Sequence, residues 1–161
     1  MARTIKGTIT IYGQELVRSN PDKPLWPEVG ITKAIYLQKL AALAPYLLRY
    51  CRNRLLTTIR YPHGEGGEFF YQKNAPEPLP PFVTTAVQEG IQYVVMNSLP
   101  VLIWLGNLAA LEFHPSLHYV GSNLPCEWMI DLDPSVEEEP RIMEAASVVG
   151  SCPSTRWMPI C

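Results

Sequence analysis

The period of its apolar positions divides the chain into recognisable elements. In "TIKGTITIYG" β-branched residues alternate with small ones, which predicts a first strand or hairpin. "SNPDKPLWPEVG" is dense in turn formers. "ITKAIYLQKLAALAPYLLRYCRNR" then carries Ile35, Leu37, Leu40, Leu43, Leu47 and Leu48 at mostly helical spacing. Thr32 is placed to cap this helix, and Pro45 is expected to end or kink it. "LLTTIRYP" reads as a strand, "HGEGGE" as a loop and "FFYQKN" as a second short strand. "APEPLPPF" predicts a rigid, extended connector. The most apolar stretches, "IQYVVMN" and "PVLIWLGNLAALEFHPS", predict a strand followed by a buried helix or strand. "CEWMIDLDPS" predicts another strand, and "SVEEEPRIMEAASVV" the start of a helix. Strands alternate with helices, so the fold class is α/β or α+β, a mixed or antiparallel sheet with flanking helices.

Composition narrows this picture. The 161 residues are 47% hydrophobic and 17% charged, which is the balance of a globular domain with a real core. Sixteen prolines, about twice the usual share, break the chain into short elements. The net charge of -2 gives no global basic signature, so a nucleic-acid surface would have to be a local patch. Cys51, Cys126, Cys152 and Cys161 form no CxxC pair and are read as free thiols in a reducing compartment. The N-terminus lacks a signal-peptide core and no apolar stretch has the length of a membrane span, so a cytoplasmic protein is expected.

Chemistry gathers at four places. On an extended strand Asp131 and Asp133 would share one face with Met129, while Trp128, Ile130 and Leu132 take the other. Two carboxylates held so close repel each other unless a cation lies between them, and Mg²⁺ or Mn²⁺ is the hard ion that such oxygens take. The same residues also suit a surface turn, with Asp-Pro opening it and Ser135 capping a helix that starts with Glu137, Glu138 and Glu139. "GNLAALEFHPS" brings Asn107, Glu112 and His114 to the end of an apolar segment, where the histidine fits a triphosphate contact, a metal ligand or a structural role. Lys23 and Lys33 flank a turn near a helix N-terminus, a place for a phosphate or simply for two solvated cations. Phe69 and Phe70 fall on opposite faces of a strand, one able to enter the core and the other to stack on a base. His63 and His118 read as exposed loop residues.

Taken in order, "SNPDKPLWPEVGITKAIYLQKL", "RYPHGEGGEFFYQKNAP", "LIWLGNLAALEFHPS" and "MIDLDPS" resemble the polymerase domain of bacterial DNA ligase D, of the archaeo-eukaryotic primase superfamily. The resemblance runs from about Thr8 to about Val149. It implies a primase-like domain that adds nucleoside triphosphates, ribonucleotides by preference, to DNA ends in Ku-dependent non-homologous end joining, with Mn²⁺ or Mg²⁺. By the same resemblance Asp131 and Asp133 match the first two metal-binding carboxylates, and His114 the histidine beside the incoming nucleotide's phosphates. Lys23 and Lys33 match the lysines on the 5′-phosphate of the DNA, and Phe69 and Phe70 the pair that packs on the template strand. Ku and a ligase domain are the protein partners it implies, with no membrane.

The family continues into a glycine-rich nucleotide-binding segment and a third metal-binding aspartate, neither of which has a counterpart in this sequence. Residues 1–149 are therefore expected to form a partial domain and 150–161 an atypical tail. An incomplete set of carboxylates leaves two expectations beside each other: a nucleotidyltransferase, or a non-catalytic fragment that holds a 5′-phosphorylated DNA end. A remnant of a broken gene, without function, is the third.

Overall fold

The computed structural model describes residues 6–127, 132–134, 136 and 139–151. It opens with the expected hairpin, β1 (Lys6–Ile11) and β2 (Gln14–Ser19), antiparallel with Ile11 opposite Gln14. Tyr12 and Gly13 both have positive φ (49° and 79°), which is the two-residue turn whose twist suits a hairpin. Two very short strands follow, β3 (Pro24–Trp26) and β4 (Ile31–Thr32), paired to each other around a single 3₁₀ turn.

Helix α1 (Lys33–Cys51) starts where Thr32 accepts a hydrogen bond from the Ile35 N–H, the predicted cap. It continues through Pro45 to Cys51, against expectation. Pro45 lies on the exposed side, where water can satisfy the carbonyl that its ring cannot pair. The buried stripe is Lys33, Leu37, Leu40, Ala44 and Cys51, in steps of four, three, four and then seven residues, which keep to one helix face. Ile35 and Leu43, counted as apolar positions from sequence, fall beside this stripe and are exposed.

The main sheet is built around β5 (Arg54–Arg60). One edge of β5 pairs antiparallel with β8 (Ile91–Met96) over its first half and with β6 (Phe70–Gln72) over its second. Its other edge pairs with the long strand β9 (Ala110–Tyr119). Strand β7 (Thr85–Gln88), not foreseen in the sequence, pairs with β8 across a tight Glu89–Gly90 turn. Residues 73–84 have no regular structure, as a connector should, and Ala75, Leu79, Phe82 and Val83 pack against the core. Helix α2 (Leu99–Asn107) resolves the ambiguity of the apolar segment: helix first, then strand β9. Every residue from Pro100 to Asn107 is buried, because α2 is packed between α1, β2 and β9. Leu56, Val94, Met96 and Ala110 complete the core from the sheet side.

β9 accommodates Pro115 because, among the described residues, its outer edge carries only the His118–Pro125 bridge. His118 is therefore a half-buried strand residue and not a loop residue, while His63 is exposed in a turn. In "CEWMIDLDPS", Trp128 to Asp131 lie outside the described residues; Cys126, Glu127 and Leu132 to Pro134 belong to no strand. Helix α3 (Ile142–Ser151) forms as expected and spans the 149/150 boundary drawn from the sequence; residues 152–161 lie outside the description. Cys51 and Cys126 are free thiols. No helix among the described residues is long and apolar enough to cross a membrane.

Candidate functional site

The exit of β5, Arg60–Tyr61–Pro62, is the point on which the candidate residues converge. Arg60 donates from Nε to the Leu108 carbonyl at 2.8 Å and from Nη1 to Gln72 Oε1 at 2.6 Å. Its guanidinium also lies over the Phe70 ring, 5.2 Å from the centroid. One residue back along α2, Lys33 Nζ donates to the Asn107 carbonyl and to the Ser19 carbonyl, both at 2.9 Å. Two cations thus satisfy consecutive carbonyls at the C-terminal end of α2, where the helix dipole favours positive charge.

The "GN" of "WLGNLAALEFHPS" has a packing reason. A Cβ on Gly106 would sit 2.6 Å from Leu40 Cδ2, so any larger residue there would push the Leu40 side chain aside. The Asn107 amide acts like a strand edge: Oδ1 accepts from the Ser19 N–H at 3.0 Å and Nδ2 donates to the Val17 carbonyl at 3.1 Å. The β1–β2 hairpin is thereby clipped to α2. Lys33 is only 5% exposed, and burial, reinforced by the nearby charges of Lys23 and Arg60, lowers its pKa to about 8.

The second part of the site lies on the opposite face of the sheet. Directly opposed residues share a face, so Thr57 with His114, Ile59 with Glu112, and Ile59 with Tyr71 line up together. Tyr61 continues that row and donates its hydroxyl to Glu112 Oε1 at 2.5 Å, while Glu112 Oε2 lies 3.1 Å from His114 Nε2. The hydrogen bonds from Tyr61 and His114 hold the Glu112 carboxyl below its usual pKa, and the same Tyr61–Glu112 bond raises that of the phenol. Beside them the rings of Tyr61 and Phe69 meet at 5.4 Å, and those of Phe69 and Tyr71 at 6.4 Å. Phe69, Phe70 and Tyr71 are all exposed, so neither phenylalanine enters the core. Phe70 and Tyr71 lie on β6 and Phe69 just before it, and exposed rings of this kind are available to stacking partners.

Lys23 completes the convergence from the side: its Nζ donates to the Pro62 carbonyl, and Leu25 accepts from the Glu65 N–H at 2.8 Å. Lys23 and Lys33 therefore attach by one hydrogen bond to Pro62 or to the end of α2, Phe70 and Phe69 by contacts with Arg60 and Tyr61, and His114 through two hydrogen bonds, by way of Glu112 to Tyr61. Lys23 is half-buried at the surface. Lys33 is the first residue of α1, beside the helix N-terminus as expected, but its ammonium runs inward along the core stripe and is not solvated.

Of the aspartate pair, Asp133 is exposed and Asp131 lies outside the described residues. Among the described residues no three His, Cys, Asp or Glu side chains gather as a metal-holding group. The segment that leads into the pair is anchored upstream, since buried Arg54 donates to Glu127 and lies over the Tyr119 ring at 5.6 Å. Sequence reasoning missed Arg60, Tyr61 and Arg54. Their charges and hydroxyl matter through partners 12 to 73 residues away, which no local spacing encodes.

The family described as "LigD, primase-polymerase domain" matches residues 32–152. The bifunctional non-homologous end joining protein LigD of Bacillus subtilis is 37% identical over 118 residues, 73% of this chain and 19% of that protein. The multifunctional non-homologous end joining DNA repair protein LigD of Mycobacterium tuberculosis is 31% identical over 105 residues, 63% of this chain and 14% of that protein. The solved polymerase domain of Mycobacterium tuberculosis ligase D in complex with DNA matches with a TM-score of 0.60 at 30% identity, covering 65% of this chain and 38% of that one. The chain thus spans less than a fifth of the length of these curated relatives.

Proposed function

The chain belongs to the LigD primase-polymerase family, and from that premise we propose that it works on DNA ends in non-homologous end joining, as a polymerase/primase-like domain that transfers nucleotides. The observation that carries this reading is the convergence at the β5 exit. Lys23, Phe69 and Phe70 contact this exit directly, and His114 is joined to it through Glu112 and Tyr61 on the opposite face of the sheet from Arg60.

In this reading Lys23, held by the Pro62 carbonyl, takes the 5′-phosphate of the downstream DNA with the remaining donors of its ammonium. Lys33 stands behind it and contributes potential, since its buried ammonium already interacts with Lys23 and Arg60. Phe69 and Phe70 support the template strand, with Arg60 fixing Phe70 from below. His114 faces the triphosphate of the incoming nucleotide, and the Tyr61–Glu112 bond holds the carboxylate that engages its Nε2. Asp131 and Asp133 are the hard oxygen donors that would hold Mn²⁺ or Mg²⁺, which would neutralise phosphate charge and orient the reacting oxygens. Residues 1–149 act as this unit, in the cytoplasm, with Ku and a ligase domain as protein partners.

A second reading, end binding without catalysis, is favoured by one observation: Lys23, Phe70 and Phe69 have their contacts at Pro62, Arg60 and Tyr61, on the exit of β5. A gap-filling assay separates the two. A gapped duplex with a 5′-phosphate, labelled ribonucleotides and Mn²⁺ are combined with the wild type and with Asp131→Ala/Asp133→Ala. The polymerase reading expects incorporation that the double variant abolishes; binding of the duplex without incorporation in either protein would leave only the end-binding reading standing.

A further inference from the structure

We propose that a cleft at the start of β5 binds a single strand of nucleic acid, with Arg49 and Arg52 on its phosphates and Tyr119 under one of its bases. The cleft measures about 610 Å³ and is lined by Arg49, Arg52, Asn53, Thr84, Asn97 and Tyr119, among others. Among the described residues none that lines it is acidic, although the chain as a whole carries a net charge of -2. Arg49 and Arg52 are exposed, and neither forms an ion pair among the described residues. A helix C-terminus attracts cations, and both arginines lie near that of α1. That attraction does not by itself require a carboxylate-free concave surface with an aromatic side.

Tyr119 supplies the second component. Tyr119 is 44% exposed, and the buried Arg54 guanidinium, held by Glu127, backs its ring at 5.6 Å. A ring fixed from one side loses little freedom when a base covers the other, and cationic grooves with such rings are how proteins hold unpaired strands. The frame is also rigid: the Asn53 N–H donates to Met96 at 3.0 Å, and its carbonyl accepts from the Val120 N–H at 2.8 Å. Asn53 and Tyr61 lie at opposite ends of β5, about 25 Å apart along an extended strand. That is about seven stacked nucleotides at 3.4 Å each, so the cleft and the β5 exit do not contact the same phosphates. A duplex keeps its base faces stacked on one another; an unpaired strand offers a base face to Tyr119 together with its backbone.

The test is fluorescence anisotropy with a single-stranded oligonucleotide of about twelve residues bearing a 5′-hydroxyl, so that end recognition by Lys23 does not enter. Arg49→Ala/Arg52→Ala is expected to reduce the slope of log affinity against log salt by about 1.4, two phosphates at 0.7 each. Tyr119→Leu is expected to weaken binding at least about fivefold and Tyr119→Phe to retain it, with thermal unfolding recorded for each variant. An unchanged salt slope in the arginine variant would overturn the proposal. So would a Tyr119→Leu protein that folds and binds like the wild type, since that describes a simple anion surface.

Discussion

Lys33 shows how a residue's neighbours decide its chemistry. Beside a helix N-terminus it reads as a phosphate lysine, yet it sits four residues before Leu37 on the stripe that α1 buries. That stripe was legible in the sequence, and a lysine on it is the signal that its ammonium would need internal acceptors, which Ser19 and Asn107 provide. Its folded pKa of about 8 lies below the ~10.4 of a free lysine. Between those values the unfolded chain keeps a proton that the folded chain has released, so folding stability rises with pH across that window. Denaturant unfolding at pH 7.5 and pH 10 checks this: the wild type gains stability relative to Lys33→Met as the pH rises. Parallel pH profiles for the two proteins would contradict it. Tyr61 acts by its hydroxyl and its ring separately. In the polymerase reading, Tyr61→Phe keeps the ring against Phe69 and loses the bond to Glu112. Duplex binding then stays within about twofold while incorporation falls about tenfold, the usual cost of removing a group that orients an active-site side chain. Loss of binding in step with incorporation would assign Tyr61 to the DNA surface instead.

Among the elements, those with a strong period were the legible ones: the first hairpin, α1 with its Thr32 cap, β5, β6, β8 and α3. β7 escaped because Thr85–Gln88 has little apolar alternation; its existence depends on the Glu89–Gly90 turn and on the partner strand β8. The apolar stretch around Trp104 was ambiguous for the opposite reason, since a fully buried element shows no periodicity. What the "GN" pair does was not legible, because the Asn107 amide bonds to backbone 88 and 90 residues away. Asn107→Ala removes both bonds between α2 and β2 and leaves the Ser19 N–H and Val17 carbonyl unpaired. We expect a loss of about 2–3 kcal/mol in denaturant unfolding. Hydrogen exchange in β1 and β2 should also accelerate more than in β5. Uniform acceleration across both regions would show that the clip is not local.

For the whole molecule, the order of four sequence blocks carried the family, and the fold and the relatives bear it out. Composition could not show where the site gathers, because the gathering is a property of β5. This central strand receives β9 along one edge, β6 and β8 along the other, and ends in a turn against α2. Lys23 reaches that turn from the N-terminal segment, Phe69 from the following loop and Phe70 from β6, while His114 on β9 is joined to it through Glu112. The aspartate pair was legible only as a motif, with Asp133 exposed and Asp131 outside the described residues. The most direct test of this account is the affinity of the wild type and of Lys23→Ala for one gapped duplex, with and without its 5′-phosphate, at fixed salt. The account predicts that the wild type binds the phosphorylated gap about tenfold more tightly, as one charge-assisted contact of about 1.4 kcal/mol provides, and that Lys23→Ala binds both duplexes alike. Equal affinity of the wild type for the two duplexes, or a preference that survives in Lys23→Ala, would contradict it.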